Sequence, residues 1–125
     1  MGRVVHFEIH CADLDRAQRF YSDALGWTIQ RWESGPVDYR LVTTGAERAP
    51  GIDGALVARR DQADGEAVVA WVNTVEVDDL ADPGRRIAAA GGRQVVEDRE
   101  IPGVGRLAYF DDTEGNRFGA LQPSA

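Results

Sequence analysis

The stretch VVHFEIHCADL, residues 4–14, contains the pattern of a β-strand followed by the start of a helix. Its alternating apolar residues are Val5, Phe7 and Ile9, and its alternating polar residues are His6, Glu8 and His10. This period of two predicts a strand. Asp13 is a residue type that caps helix N-termini, apolar residues then recur at helical spacing from Leu14 to Leu25, and Gly26 supplies a stop.

The same pattern begins again in the second half of the chain. Asp13 is matched by Asp79, 66 residues later, and the triplet Gly54-Ala55-Leu56 is matched by Gly119-Ala120-Leu121, 65 residues later. An internal repeat of this length predicts two copies of a strand-helix-strand-strand-strand module within one domain spanning residues 1–125. The two modules are predicted at about residues 3–60 and 67–123.

Eight strands and two helices are predicted along the chain. The strands are expected at residues 4–10, 27–33, 38–44, 54–59, 69–77, 93–97, 105–111 and 117–122, with a turn at 34–36 and a linker at 60–66. The second helix is expected to be capped by Asp79 or Asp82 and to end at residues 91–92. Its predicted buried face carries Leu80, Ile87 and Ala90.

Composition and charge exclude several classes of function. The chain has 125 residues, a formal net charge of −7 and no lysine, so it lacks the clustered cations that bind nucleic acid or anionic membranes. Cys11 is the only cysteine, which excludes an intrachain disulfide and a cysteine-cluster zinc site. The longest apolar run, residues 67–72, is too short for a membrane span. We expect a soluble, cytoplasmic, bacterial protein.

Several of these segments resemble the vicinal oxygen chelate superfamily. The opening is similar in residues 5–14, in Phe20-Tyr21 and in residues 25–27, and the stretch FDDTEGNRF, residues 110–118, resembles the closing hairpin. That superfamily includes glyoxalase I, extradiol dioxygenases, methylmalonyl-CoA epimerase, and fosfomycin and bleomycin resistance proteins. The resemblance implies an α+β fold of two βαβββ modules whose curved mixed sheets enclose a cavity.

The resemblance also implies four positions for metal ligands, and this sequence retains one of them. The four positions are His6, Val72, Gly54 and Gly119. Valine and glycine side chains have no donor atom, so we expect no cofactor and no metal at the usual centre. A divalent metal held at shifted ligands remains open, because imidazole and carboxylate groups suit zinc, iron or manganese. Those ligands would be His6, Glu8, His10 and Glu76.

Gly54 and Gly119 admit two interpretations. They could widen a ligand cavity where the metal normally lies, since glycine in a strand allows close approach of a ligand. They could equally relieve strand curvature or packing. Both residues are therefore candidates for substrate binding.

His6 and Glu8 are the candidate catalytic residues. Side chains two residues apart on a strand point the same way, so Glu8 should raise the pKa of a neighbouring histidine and form an acid/base pair with it. The repeat places Val72, Thr74 and Glu76 on the matching strand. The expected cavity floor carries His6, Glu8, Thr74 and Glu76, with His10 nearer the rim. The alternative is an ordinary solvated sheet face.

Three aromatic residues are further candidates for binding a flat ligand: Trp32, Tyr39 and Tyr109. The alternative for each is ordinary core packing. Cys11 lies before an acidic helix start, which does not favour a thiolate, so we expect it to be structural.

Three functions follow from this sequence. The first is a metal-free protein that binds a small molecule, like the drug-sequestering resistance proteins, with acidic walls that attract a cation. The second is an enzyme, namely a lyase, an isomerase or a biosynthetic cyclase that uses His6 and Glu8 or a shifted metal site. The third is a protein with a degenerate cavity. We expect a homodimer, because exposed sheet edges are hazardous.

Overall fold

A computed structural model describes residues 2–33, 38–59 and 70–124 of the chain. The strands and helices, in chain order, are β1 (Arg3–Cys11), α1 (Leu14–Leu25), β2 (Thr28–Trp32), β3 (Tyr39–Thr43), β4 (Gly54–Ala58), β5 (Trp71–Glu76), α2 (Ala81–Ala89), β6 (Arg93–Ile101), β7 (Gly105–Asp111) and β8 (Arg117–Pro123). This order confirms the predicted α+β class and the βαβββ pattern occurring twice. The predicted turn at 34–36 and linker at 60–66 lie outside the described residues.

The chain divides into two compact units, which we call module one and module two. Module one comprises His6–Trp71, and module two comprises Val72–Ala125 with the first residues of the chain. Neither described helix is both long and apolar enough to cross a membrane.

Module one is a four-stranded mixed sheet covered on one face by α1. Its strand order is β2-β3-β4-β1, in which β1 and β4 run parallel and the other pairs run antiparallel. The core is formed by Phe7, Ile9, Cys11, Val42 and Leu56, with Leu14, Ala17 and Tyr21 of the helix packed against it.

The ends of α1 form as the sequence predicts. The Asp13 side chain accepts a hydrogen bond of 3.0 Å from the Arg16 backbone N–H, which satisfies one of the free donors of the first turn. Gly26 ends the helix with a φ of 71°, a left-handed conformation that glycine adopts without a steric cost.

Module two repeats this arrangement around α2. Its strand order is β5-β8-β7-β6, and β5 runs parallel to β8. The Asp79 side chain accepts a hydrogen bond of 2.9 Å from the Asp82 backbone N–H, as its counterpart Asp13 does in module one. The core is formed by Val77, Leu80, Ala108, Phe110 and Ala120, with Ile87 packed against it.

Two predictions for module two need correction. Ala90 is exposed rather than buried, because α2 ends at Ala89 and Ala90 forms the C-cap. Strand β6 continues to Ile101 instead of ending at residue 97. Its pairing with β7 resumes after each of two irregularities and extends to the pair Ile101–Gly105.

Candidate functional site

The polar side chains of β1 lie on the face of the sheet that α1 does not cover. Phe7, Ile9 and Cys11 fill the core beneath the helix, so the alternation of a strand turns the intervening residues to the opposite face. Glu8 is 4% exposed and His10 is 9% exposed. An ordinary solvated face is therefore excluded for these two residues.

The prediction of a rim position for His10 is wrong. Its side chain is buried, and its backbone N–H donates a hydrogen bond of 3.4 Å to the carbonyl of Ala70, which covers this end of β1 within module one. His6 is half-buried, whereas Glu8 and His10, further along the strand, are both buried.

His6 is paired with an aromatic residue of a neighbouring strand. The hydroxyl oxygen of Tyr39, on β3, lies 3.2 Å from Nε2 of His6. The Trp32 ring packs edge-on against Tyr39, with centroids 5.7 Å apart. Two of the three aromatic candidates are therefore gathered beside His6, with Trp32 joined to it through Tyr39.

Burial keeps His6 neutral, contrary to the prediction that Glu8 would raise its pKa. Loss of solvent lowers the pKa of His6 below its ordinary value of 6.5, and this effect outweighs the opposing charges of Glu8 and Asp53. Burial, reinforced by the charge of Glu8, raises the pKa of Tyr39. At neutral pH both partners are uncharged, and the tautomer of His6 sets which of the two donates the hydrogen bond.

Asp53 belongs to this site, although sequence reasoning missed it. Phe7 is paired with Gly54 across the parallel strands β1 and β4, which places the preceding residue, Asp53, alongside His6. The Asp53 carboxylate accepts hydrogen bonds from the backbone and side chain of Thr44, at 2.8 and 3.2 Å. Asp53 directly precedes the repeated Gly-Ala-Leu triplet, which is the only sequence feature that points to it. The register of β1 and β4 is needed to place it beside His6.

Glu8 and His10 form the most buried polar pair of module one. Oε1 of Glu8 lies 3.5 Å from Nε2 of His10, which is long for a charge-assisted hydrogen bond. Neither ring nitrogen of His10 has a hydrogen-bond partner among the described residues. A buried polar group without a partner is costly, so these nitrogens are suited to a ligand that supplies one.

Module two carries a matching but less polar row on β5. Val72 and Thr74 are buried at 1% and 2% exposure, and Glu76 is exposed. The Thr74 hydroxyl has no hydrogen-bond partner among the described residues. The half-buried Tyr109 on β7 and the buried Gly119 on β8 lie beside it and are paired with each other.

The two repeated glycines lie on different faces of their modules. Gly54 is paired with Phe7 and packs on the helix-covered face, where its neighbours are the backbone and ring of Phe7. Gly119 is paired with Thr74 and lies on the other face, beside the Thr74 hydroxyl and the Tyr109 ring. The packing interpretation therefore holds for Gly54, and the cavity interpretation is wrong there, whereas Gly119 keeps the face that a ligand could approach.

The residues at the four ligand positions do not fit the metal centre that the resemblance to the vicinal oxygen chelate superfamily implies. His6 is the only one of the four positions with a donor atom, Val72 is apolar and buried, and Gly54 lies on the wrong face. Among residues 2–33, 38–59 and 70–124, no three His, Cys, Asp or Glu side chains come together as a metal site. Cys11 is buried, and burial raises the pKa of its thiol, which agrees with the predicted structural role.

The lowered pKa of His6 predicts a loss of stability on mild acidification. The unfolded chain takes up the His6 proton below about pH 6.5, but the folded chain does not until a lower pH, so the free energy of unfolding falls as pH decreases. The slope contributed by one such proton is at most about 1.4 kcal/mol per pH unit. Urea unfolding between pH 7.5 and pH 5 should show it.

The matched control is His6→Gln, in which the slope should be smaller by up to that amount. Every other ionisable group is present in both proteins, so the comparison isolates His6. Equal slopes in the two proteins would contradict the lowered pKa of His6.

The chain matches one protein-family model and is similar to a relative along most of its length. A family model described as bleomycin resistance protein-like N-terminal matches residues 3–45. A glyoxylase-like domain-containing protein of Didymella fabae is 30% identical over 119 residues, which cover 92% of this chain and 89% of the relative.

Solved structures share the fold along nearly the whole chain. Methylmalonyl-CoA epimerase of Mycobacterium tuberculosis superposes with a TM-score of 0.66 and 23% identity, over 99% of this chain and 89% of the epimerase. A variant of the Streptomyces coelicolor epimerase, in complex with 2-nitronate-propionyl-CoA, superposes with a TM-score of 0.66 and 19% identity, over 100% and 99% of the two chains. Identities this low show a common fold.

Proposed function

This chain belongs to the vicinal oxygen chelate superfamily, and we propose that it binds a small organic molecule on the polar face of β1, without the superfamily's usual metal. The observation that carries the proposal is the row His6, Glu8 and His10. A solvated sheet face leaves its polar side chains in water, whereas here Glu8 and His10 are buried. Neither ring nitrogen of His10 has a hydrogen-bond partner in the part of the chain that the structure describes, and Nε2 has only the 3.5 Å contact with Glu8. A bound ligand with polar groups would compensate that burial.

The groups around this row indicate the kind of ligand. Glu8 supplies an acceptor, His10 supplies a nitrogen that can donate or accept, and the Tyr39 and Trp32 rings supply flat apolar surface. The chain's net charge of −7 favours a cationic molecule over an anionic one and disfavours nucleic acid or an anionic membrane as partner. We therefore propose a ligand that combines an aromatic or planar part with a positively charged or hydrogen-bond-donating group.

A second candidate function is acid/base catalysis, as a lyase, an isomerase or a cyclase. The observation that favours it is the His6–Tyr39 pair. A neutral imidazole can accept a proton, and the Tyr39 hydroxyl at 3.2 Å from Nε2 can donate one. Glu8, on the same face, is the other candidate base. Solved structures of this fold include methylmalonyl-CoA epimerases, which supports testing an isomerase reaction.

Native mass spectrometry of the purified chain tests binding directly. We expect a mass above 13.7 kDa for the fraction that retains a small molecule, and His6→Ala should reduce that fraction. Thr28→Ala, at an exposed position of β2, is a control with an unchanged sheet. Thermal titration with bleomycin and with methylmalonyl-CoA then tests binding of each probe. An assay for conversion of methylmalonyl-CoA separates the two functions, because an enzyme converts its substrate and a binding protein does not. No retained molecule and no stabilisation by either probe would contradict binding.

We predict no tightly bound metal at the usual centre. Elemental analysis of the purified chain should find no stoichiometric transition metal, and added zinc or manganese should leave the melting temperature unchanged. A stoichiometric metal that survives in His10→Ala and Glu76→Ala would contradict the prediction. Loss of such a metal in these two variants would instead identify the shifted ligand set.

A further inference from the structure

The Glu8 carboxylate is not accessible to the proposed ligand in this structure. Glu8 is 4% exposed, although it lies on the sheet face that α1 leaves uncovered. A ligand that binds this carboxylate must therefore displace a side chain that lies across it. The register of the strands in module one identifies such a side chain, that of Tyr39.

The Tyr39 side chain crosses the sheet face diagonally. Its backbone is paired with Val57, which is paired in turn with His10, so Tyr39 and His10 occupy one row across the sheet. Its hydroxyl oxygen, however, lies 3.2 Å from Nε2 of His6, which is four residues earlier on β1. Four residues span about 13 Å of strand, and Glu8 lies midway between the two histidines. The phenol therefore runs along the strands, past the row of Glu8, to reach His6.

The electrostatics of the site agree with this placement. Burial, reinforced by the charge of Glu8, raises the pKa of the Tyr39 hydroxyl, so the carboxylate lies close to the phenol. Burial lowers the pKa of His6, and the charge of Glu8 opposes that effect as well. Glu8 thus faces both partners of the hydrogen bond between His6 and Tyr39.

We propose that the Tyr39 side chain is a gate over Glu8 and that its hydrogen bond with His6 is the latch that holds the gate closed. This inference rests on the proposed function, because it describes how a ligand reaches the polar row of β1. The latch is one hydrogen bond between neutral groups, whose net strength is modest, so thermal motion can open it.

Opening of the gate requires only a rotation of one side chain. The backbone of Tyr39 remains paired with Val57 in the sheet, so the strands keep their positions while the phenol leaves His6. A ligand that presents a hydrogen-bonding group to Nε2 of His6 replaces the phenol there and keeps the gate open. The ligand class that fits this site therefore carries two polar groups, one for His6 and one for Glu8.

Chemical labelling of the unliganded chain tests the gate. Tyr39→Phe keeps the ring and removes the hydroxyl, so the latch is lost. Carbodiimide coupling of glycine ethyl ester, read by site-resolved mass spectrometry, should label Glu8 about fivefold faster than in the wild type, because an ordinary hydrogen bond no longer favours the closed state. Labelling of Glu97, which is exposed on β6, should be unchanged. Tyr21→Phe, at a half-buried position of α1, is the matched control and should leave Glu8 protected.

His6→Leu breaks the latch from the other side, because leucine is bulky but has no hydrogen-bonding atom. Glu8 should again be labelled about fivefold faster than in the wild type. The double variant Tyr39→Phe/His6→Leu should be labelled little faster than either single variant, since both changes remove the same bond. Two unrelated packing defects would instead multiply their effects.

Unchanged labelling of Glu8 in Tyr39→Phe would overturn the gate, and multiplied rates in the double variant would overturn the latch. Circular dichroism spectra should match the wild type, and if one single variant does not fold, the other decides, because either change breaks the bond. The labelling needs no ligand. A chain that shows the expected labelling but retains no small molecule and is stabilised by neither bleomycin nor methylmalonyl-CoA would therefore contradict the proposed function and not the gate.

Discussion

Gly54→Ala should destabilise the chain by about 3 kcal/mol. A Cβ atom at this position would overlap the backbone carbonyl oxygen of Phe7 and lie 2.6 Å from two atoms of its ring. The ring cannot easily move aside, because it stacks on Trp71 at 5.4 Å and packs on Trp27 at 5.8 Å. Relief would therefore require β1 and β4 to separate, which breaks their parallel pairing. Urea unfolding measures the change.

Gly119→Ala is the matched control in module two. Its added Cβ would lie 3.3 Å from the Thr74 hydroxyl and 3.4 Å from a ring atom of Tyr109, and both neighbours are side chains that can shift by a few tenths of an ångström. Replacing glycine by alanine also reduces the entropy of the unfolded chain. The free energy of unfolding should therefore change by less than about 1 kcal/mol. Equal losses in the two variants would show that the glycines are equivalent and would contradict the assignment of their faces.

The internal repeat made the fold predictable from sequence. Asp13 and Asp79 were recognised by their spacing, and each accepts a hydrogen bond from the backbone N–H three residues later. Caps depend on local residue chemistry, so Asp13 could be identified as the N-cap of α1 from sequence, whereas the N-cap of α2 is Leu80, one residue after the predicted Asp79. The alternation in β1 was equally local, and it identified the polar face correctly.

Gly54 and Gly119 lie on different faces of their sheets, and the two offsets of the internal repeat are consistent with this. The register of the strands is needed to see it. The Asp13 repeat has an offset of 66 and the Gly-Ala-Leu repeat an offset of 65. Because side chains alternate along a strand, a shift of one residue transfers a residue to the opposite face. Gly54 is accordingly paired with Phe7, while Gly119 is paired with Thr74.

The electrostatics of the site were beyond sequence reasoning for a different reason. A carboxylate two residues from a histidine predicts a raised pKa, but the net direction depends on how much solvent the folded chain removes. For His6, burial outweighs the charges of Glu8 and Asp53. The contact with Tyr39 likewise depends on a strand 33 residues away in the chain, which no local pattern specifies.

Glu8→Gln should have the largest effect on function. It preserves the size and shape of the side chain and removes the buried negative charge beside His10, 3.5 Å from its Nε2. If the chain is a binding protein, the affinity for a cationic or donating ligand should fall by about tenfold to a hundredfold, because a charged hydrogen bond becomes a neutral one. If the chain is an enzyme in which Glu8 is the base, turnover should fall by about a hundredfold or more while binding changes less.

Glu97→Gln makes the same substitution at an exposed position of β6 and controls for the loss of one unit of charge. The retained fraction in native mass spectrometry and the thermal shifts with bleomycin and methylmalonyl-CoA should match the wild type in this control. A purely structural role for Glu8 predicts a different result, namely a change in melting temperature with unchanged occupancy. Removing a buried charge can itself stabilise a protein. A Glu8→Gln variant with a higher melting temperature and a lower ligand affinity would therefore show that Glu8 acts in binding and not in stability. Unchanged binding and turnover in Glu8→Gln would show that the buried row on β1 does not contact the ligand.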